Sequence, residues 1–242
     1  MKNIICFLIC IFPFLGVCQE GVKRERRVLS IGLIFSPAIA YRQLNYSSSN
    51  QWIADIRNEE EIPKFGFTAG GILQLRLKNK LKLQTGLLYS NKGAKTKSKD
   101  LRWTSVDPDF PIKSKIIYHY QFIEIPAKVI YTFFTNDRIN LFAYAGLSFD
   151  VLISKKTKVK LEFPDGNTDS HASSKHIGDS KFNIFGAVGI GCTYRVSEQV
   201  SVVFEPAFQR SITSIAAHEG ASEYLYSVDF TIGIVKKLKD RK

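Results

Sequence analysis

Strict alternation of apolar with small or polar residues is the feature that most restricts what this chain can fold into. Side chains on a β-strand point to opposite faces with a period of two, so a long alternating run specifies a strand with two chemically different faces. From Phe65 to Leu77 one parity holds Phe65, Phe67, Ala69, Leu73, Leu75 and Leu77, and the other holds Gly66, Thr68, Gly70, Gln74 and Arg76. Leu81, Leu83, Leu87 and Tyr89 then oppose Lys82, Gln84, Gly86 and Ser90. From Ile139 to Ile153 the apolar row runs Ile139, Leu141, Ala143, Ala145, Leu147, Phe149, Val151 and Ile153, against Asn140, Tyr144, Gly146, Ser148 and Asp150. Leu29 to Ile39, Lys181 to Val196, Val200 to Ser211 and Tyr224 to Val235 repeat the pattern. With the stretch around Tyr120 to Phe134 this makes about eight segments, and no window reads better as an amphipathic helix.

Periodicity alone does not choose the solvent, but segment and loop lengths do. A tilted strand that crosses a bilayer needs about 9 to 11 residues, whereas strands of soluble proteins average about 5 to 6. Most segments here exceed ten. Their connections alternate between tight turns near Asn79, Asn136 and Ser197 and long loops over 42–62, 93–115 and 154–180, with a shorter one near 213–222. Membrane barrels have this asymmetry of short periplasmic turns and long external loops. Tyr89, Tyr131, Phe133, Phe134, Tyr224 and Tyr226 fall near strand ends, where interfacial aromatic girdles form. The expected fold is all-β, an eight-stranded antiparallel up-and-down transmembrane β-barrel with long external loops, placed in the outer membrane. The competing soluble reading, a lipocalin-like ligand-binding barrel, would turn the apolar parity inward.

The N-terminus supports export. Lys2 is followed by an apolar run, Ile4 to Leu15, too short to span a bilayer, and Gly16 and Cys18 suit cleavage before Gln19. This gives a signal peptide over 1–18 and a barrel domain over 19–242. A lipidated Cys18 is the alternative, disfavoured by the bulky Val17 before it. Removing the leader takes Cys6, Cys10 and Cys18 and leaves Cys192, so the exported domain forms no internal disulfide. The net charge of +12 is dispersed and, in an exported chain, argues against nucleic acid and for the anionic groups of outer-membrane lipids and lipopolysaccharide.

The polar parity carries both signs of charge: Arg76, Lys82, Glu124, Lys128, Asp150, Arg195, Glu205 and Asp229 are expected to project into the lumen as a charge network. Eight strands enclose only enough room for side chains, so a polar plug is the leading reading and a conducting or ligand-binding lumen the sharper one. Glu124 and Lys128 lie too far apart along one strand to touch and are expected to pair across neighbouring strands. Pro126 and Pro206 suggest local distortion beside the two Glu-bearing strands. The runner-up function is an outer-membrane lipid-modifying enzyme, for which the candidates are His119 with Ser90 or Ser114 near the outer rim, without a nucleophilic motif around them. His171 and His176 have one half of a zinc spacing without cysteine partners, and Gly186 to Gly191 lacks the following helix of a nucleotide fingerprint. No catalytic, metal or cofactor residue is assigned.

The segment Tyr120-Gln121-Phe122-Ile123-Glu124-Ile125-Pro126-Ala127-Lys128-Val129 resembles the tyrosine, aliphatic, Glu-Ile-Pro, then Lys pattern of PorT-like outer-membrane barrels of Bacteroidota. Tyr144 to Ser148, Gly186 to Gly191 and Phe204-Glu205-Pro206 are similar to that family's later strands. The resemblance covers nearly the whole mature chain and describes a scaffold. It implies a non-enzymatic structural or binding role through the external loops, in some members linked to secretion, with envelope or secretion proteins as partners. Where outer-membrane barrels usually end in an aromatic residue, this sequence runs on through Lys236, Lys237, Lys239 and Arg241 to Lys242.

Overall fold

In a computed structural model, residues 28–46, 50–104, 107, 109–174, 180–216 and 220–238 are described. The expected leader, His176 and the last four residues lie outside them. The elements in chain order are β1 (Leu29–Tyr46), α1 (Gln51–Glu60), β2 (Glu61–Lys78), β3 (Leu81–Thr96), β4 (Lys99–Asp100), β5 (Lys113–Thr135), β6 (Ile139–Glu162), β7 (Thr168–Ser173), β8 (Phe182–Arg195), β9 (Val200–Ser211) and β10 (Ala221–Lys237). Eight of the strands pair antiparallel with their sequence neighbours, in the order β1, β2, β3, β5, β6, β8, β9 and β10. β10 then returns to β1 along the register Ser30↔Lys237 to Tyr46↔Ala221, which closes the ring. Closure leaves no unpaired edge around the barrel wall, the condition for a sheet to sit in hydrocarbon.

Face assignment settles the solvent question. Leu33 is 72% exposed and Ile190 61%, with Phe35, Leu87, Leu147, Phe149, Ile232 and Ile234 also exposed. Glu124, Asp150, Glu205 and Asp229 are buried on the opposite parity. The apolar row is therefore outside and the polar row inside, which excludes the lipocalin-like arrangement. The interior is less polar than the alternation suggests. Ile34, Ile72, Leu88, Ile130, Phe142 and Tyr144 belong to one buried apolar cluster, and Tyr118, Tyr120, Phe122, Phe185, Ile215 and Leu225 form another. Charged side chains are held around and between these apolar groups.

The glycines of β8 have a packing reason. Gly189 and Gly191 stand opposite Tyr144 and Phe142 of β6. A Cβ on Gly189 would lie 2.7 Å from the Tyr144 ring, and one on Gly191 2.3 Å from the Phe142 ring. The aromatic rings lie across the bare backbone, the device by which glycine in a sheet is covered by an aromatic cross-strand partner. The Gly186 to Gly191 stretch is thus a bed for two lumenal rings.

Regular structure reaches into three stretches expected as loops. β1 continues to Tyr46 and α1 occupies much of 42–62; β3 continues to Thr96; and β6 continues to Glu162, with β7 folding back on it through Thr157↔Ser173 to Glu162↔Thr168. β5 and β6, of 23 and 24 residues, are roughly twice the length needed to cross a bilayer. Together with β4 and β7 they build a sheet that stands beyond the apolar band. The opposite end is closed by tight turns: Asn136 N–H donates to the Ile139 carbonyl at 2.8 Å, and Val200 N–H to Ser197 Oγ at 3.1 Å.

Candidate functional site

The lumen holds its charges in three groups. In the central group Glu124 and Asp150 are directly opposite one another across β5 and β6, an arrangement that repels unless a cation sits between them. Lys92 supplies it from β3. Its Nζ lies 2.7 Å from Glu124 Oε1 and 4.0 Å from Asp150 Oδ2, donates to Gln209 Oε1 at 2.9 Å, and stands 4.5 Å above the Phe185 ring. Both Lys92 and Glu124 are 1% exposed. Ser148 Oγ donates to Asp150, and Ser227 Oγ to Asp229 at 2.8 Å. Lys128 reaches across the lumen to Glu205 of β9, 3.6 Å away, with its ammonium 4.4 Å over the Tyr144 ring. Glu124 thus meets a cation on the adjacent strand, whereas the partner of Lys128 is on a strand that does not adjoin β5.

Arg76 and Lys82 lie elsewhere. They line the short-turn mouth with Lys237, close to Arg195 at the end of β8. Four of the eight residues expected to form one network therefore share the lumen centre with Lys92 as Glu124, Lys128, Asp150 and Asp229, and Glu205 joins through Lys128. The three remaining cations gather at a basic rim.

The third group sits at the long-loop end and escaped the sequence reading. Arg42 of β1 donates through Nε to Glu61 Oε2 at 2.9 Å, through Nη1 to Tyr120 Oη at 2.9 Å and to Glu223 Oε1 at 3.1 Å, and forms a second contact with Glu61 through Nη2. Tyr120 also donates to Glu223, Lys155 Nζ lies 3.3 Å from Glu223 Oε2, and the Arg42 guanidinium stacks 3.9 Å over Tyr118. Two cations, Arg42 and Lys155, and the Tyr120 hydroxyl thus surround the Glu223 carboxylate. A signal for this group existed. The inward parity of β1 runs on through Ser36, Ala38, Ala40 and Arg42, and that of β10 through Asp229, Ser227, Leu225 and Glu223. Following each row past its last apolar neighbour would have reached Arg42, Glu223 and, on β3, Lys92.

Above the apolar band the outward face of the extended sheet is basic. Lys95, Ile117 and Lys158 are aligned across β3, β5 and β6; Lys115 is opposite Lys160; and His119 is opposite Lys156. Among the described residues no carboxylate comes within 4.0 Å of the Lys95, Lys115, Lys156, Lys158 or Lys160 ammonium. His119 therefore belongs to a cationic surface. Its Nδ1 lies 3.4 Å from Asn91 Oδ1, while Ser90 is wholly buried in the lumen and Ser114 is on the other face of β5. The histidine and the two serines do not assemble into a nucleophile and base. His171 is exposed on β7 beside Asp169, 3.1 Å away.

No curated protein sequence matches the chain. Among solved structures, neisserial surface protein A is 16% identical, with 88% of this chain and 100% of that one covered and a TM-score of 0.48. The N-terminal β-barrel domain of Pseudomonas aeruginosa OprF is 11% identical over 88% and 100%, with a TM-score of 0.37. Ail, the attachment invasion locus protein of Yersinia pestis, is 10% identical over the same shares, with a TM-score of 0.35. A family model described as an outer membrane protein beta-barrel domain matches residues 31–217. With its closed ring, apolar exterior and charged lumen, the chain belongs to the outer membrane protein β-barrel domain family and resides in the outer membrane.

Proposed function

We propose that this protein is a non-enzymatic outer-membrane anchor of the PorT-like type, exported by the 1–18 leader, whose external sheet is a binding surface for outer-membrane lipids, lipopolysaccharide and envelope or secretion proteins. The observation that carries the reading is the extension of β5 and β6 past the apolar band, braced by β4 and β7. A barrel needing only to cross the membrane gains nothing from such strands, whereas loops and extensions on a rigid scaffold commonly carry recognition. The PorT-like part rests on the motif from Tyr120 to Val129, whose inward members Tyr120, Phe122, Glu124, Pro126 and Lys128 are all buried. Motif residues of this kind serve the packed interior, which suits an anchor better than a conduit.

The test is genetic. In cells lacking the protein, the intact chain and a version with 97–117 and 155–174 replaced by short turns are compared for envelope integrity under detergent stress and for protein secretion. The trimmed barrel is expected to reach the outer membrane yet fail to restore the defect. Full restoration by the trimmed barrel would overturn the reading.

A further inference from the structure

We propose that the outward basic face of β3, β5 and β6 is a binding site for the phosphates of a bis-phosphorylated saccharolipid of the outer leaflet, held while its acyl chains lie on the barrel wall below. The inference rests on the reading of the external sheet as a binding surface and assigns it a ligand chemistry.

Position is the first argument. The inward parity of β5 is unbroken from Tyr118 to Thr132, so Lys115, Ile117 and His119 continue the same outward row as Ile123, Ile125 and Val129. A register shift in the β5–β6 pairing, where Gln121 meets Ser154 and Phe122 meets Leu152, brings Lys156, Lys158 and Lys160 of β6 into line with Val151 and Phe149. The last apolar rung is Ile123↔Val151 and the first cationic rung His119↔Lys156. They are four residue steps apart on β5, about 13 Å along a tilted strand, which places the lysines over the headgroups. A ligand there can rest hydrocarbon on the isoleucine and phenylalanine row and anionic groups on the lysine row.

Charge is the second argument. Lys115 faces Lys160 directly, and Lys158 is one rung away in line with Lys95 across Ile117. Like charges opposite one another in a sheet are destabilising, and the nearest carboxylate on this face among the described residues, Glu162, lies one rung further out and is paired with Lys113 at 3.5 Å. The two strands bear a two-dimensional array of cations, about 5 Å apart across the strands and about 7 Å along them. Such an array suits a ligand with several phosphates on one rigid sugar scaffold better than a single anion. Lysine binds phosphate as a point charge and needs no fixed fork geometry.

Purified protein in a neutral detergent is titrated with diphosphoryl lipid A, its dephosphorylated form, phosphatidylglycerol and inorganic phosphate, and bound lipid is read by native mass spectrometry. The wild type is expected to retain the diphosphoryl form, the dephosphorylated lipid and phosphatidylglycerol more weakly, and inorganic phosphate not at all. The exposed-face variant K115Q/K156Q/K158Q/K160Q, checked for folding by heat-modifiable gel migration, is expected to lose more than about tenfold in affinity, because each cation near an anionic headgroup adds to binding. A control variant, K99Q/K113Q, carries the same type of change at the sheet tip and is expected to bind nearly as the wild type. Equal retention of both lipid A forms, equal retention of phosphatidylglycerol, or unchanged binding by the folded quadruple variant would each overturn the site. If instead the trimmed barrel fails in cells while the quadruple variant binds lipid A unchanged, this assignment falls and the binding-surface reading stands.

Discussion

Lys92 is enclosed by protein on every side, so its charge is tolerable only because Glu124 and Asp150 surround the ammonium. The converse also holds, since two carboxylates opposed across β5 and β6 need that ammonium between them. Breaking a buried pair by removing one member leaves an uncompensated charge and costs about 3 to 5 kcal/mol. For Glu124→Gln a loss near the lower end, about 3 kcal/mol, is expected because Asp150 stays within reach of Lys92. Lys92→Met leaves Glu124 and Asp150 opposed with no cation between them and should cost at least as much. Urea unfolding of the protein in lipid vesicles measures both variants. Unchanged stability in Glu124→Gln would mean that the pair is hydrated and contributes little.

Along a single strand, neighbouring residues meet different solvents. Leu147 of β6 faces outward between Ala127 and Gly186, and Ser148 faces the lumen beside Asp150. Leu147→Arg is expected to destabilise insertion by about 2 to 4 kcal/mol, the cost of a cation near the middle of the lipid face. Ser148→Arg places the same group among Glu124, Lys128 and Thr231 around a lumenal cavity, where acidic partners are at hand, and should cost less. Equal effects in a vesicle-folding assay would contradict the face assignment. This two-faced character is why the strands were legible in the sequence. The lipid face has to be apolar without interruption, and one parity of each strand records it. Strand ends were not legible for the same reason. Beyond the bilayer the outward parity turns to lysine, as at Lys115, Lys156 and Lys158, so the alternation that marks a strand in lipid disappears while the hydrogen-bonded ladder continues. Lys92, Arg42 and Glu223 were missed because they lie just past that change. The partner of Lys128 was missed because contacts across a lumen follow from closure of the ring, which no local pattern contains.

At the scale of the whole molecule, closure makes every strand depend on its two neighbours. Since β10 pairs with β1 over the length of both, no strand can leave without exposing two rows of backbone donors and acceptors to hydrocarbon. Unheated protein in dodecyl sulfate is therefore expected to migrate as a compact species and to shift on boiling. Identical mobility before and after boiling would be inconsistent with a closed barrel. The turn at 163–167 has a different dependence. Lys113, where β5 begins, is ten residue steps along the strand from Ile123 at the top of the apolar wall, about 33 Å of strand, or about 25 Å of height at barrel tilt. Gly166, in a left-handed turn with φ of 81° and no neighbour that an added Cβ would meet, sits at the crest of that projection. A bacteriophage or an antibody approaching the cell would touch this crest before it could reach the lipid surface, so the hairpin is open to immune and viral selection that the barrel wall below it escapes.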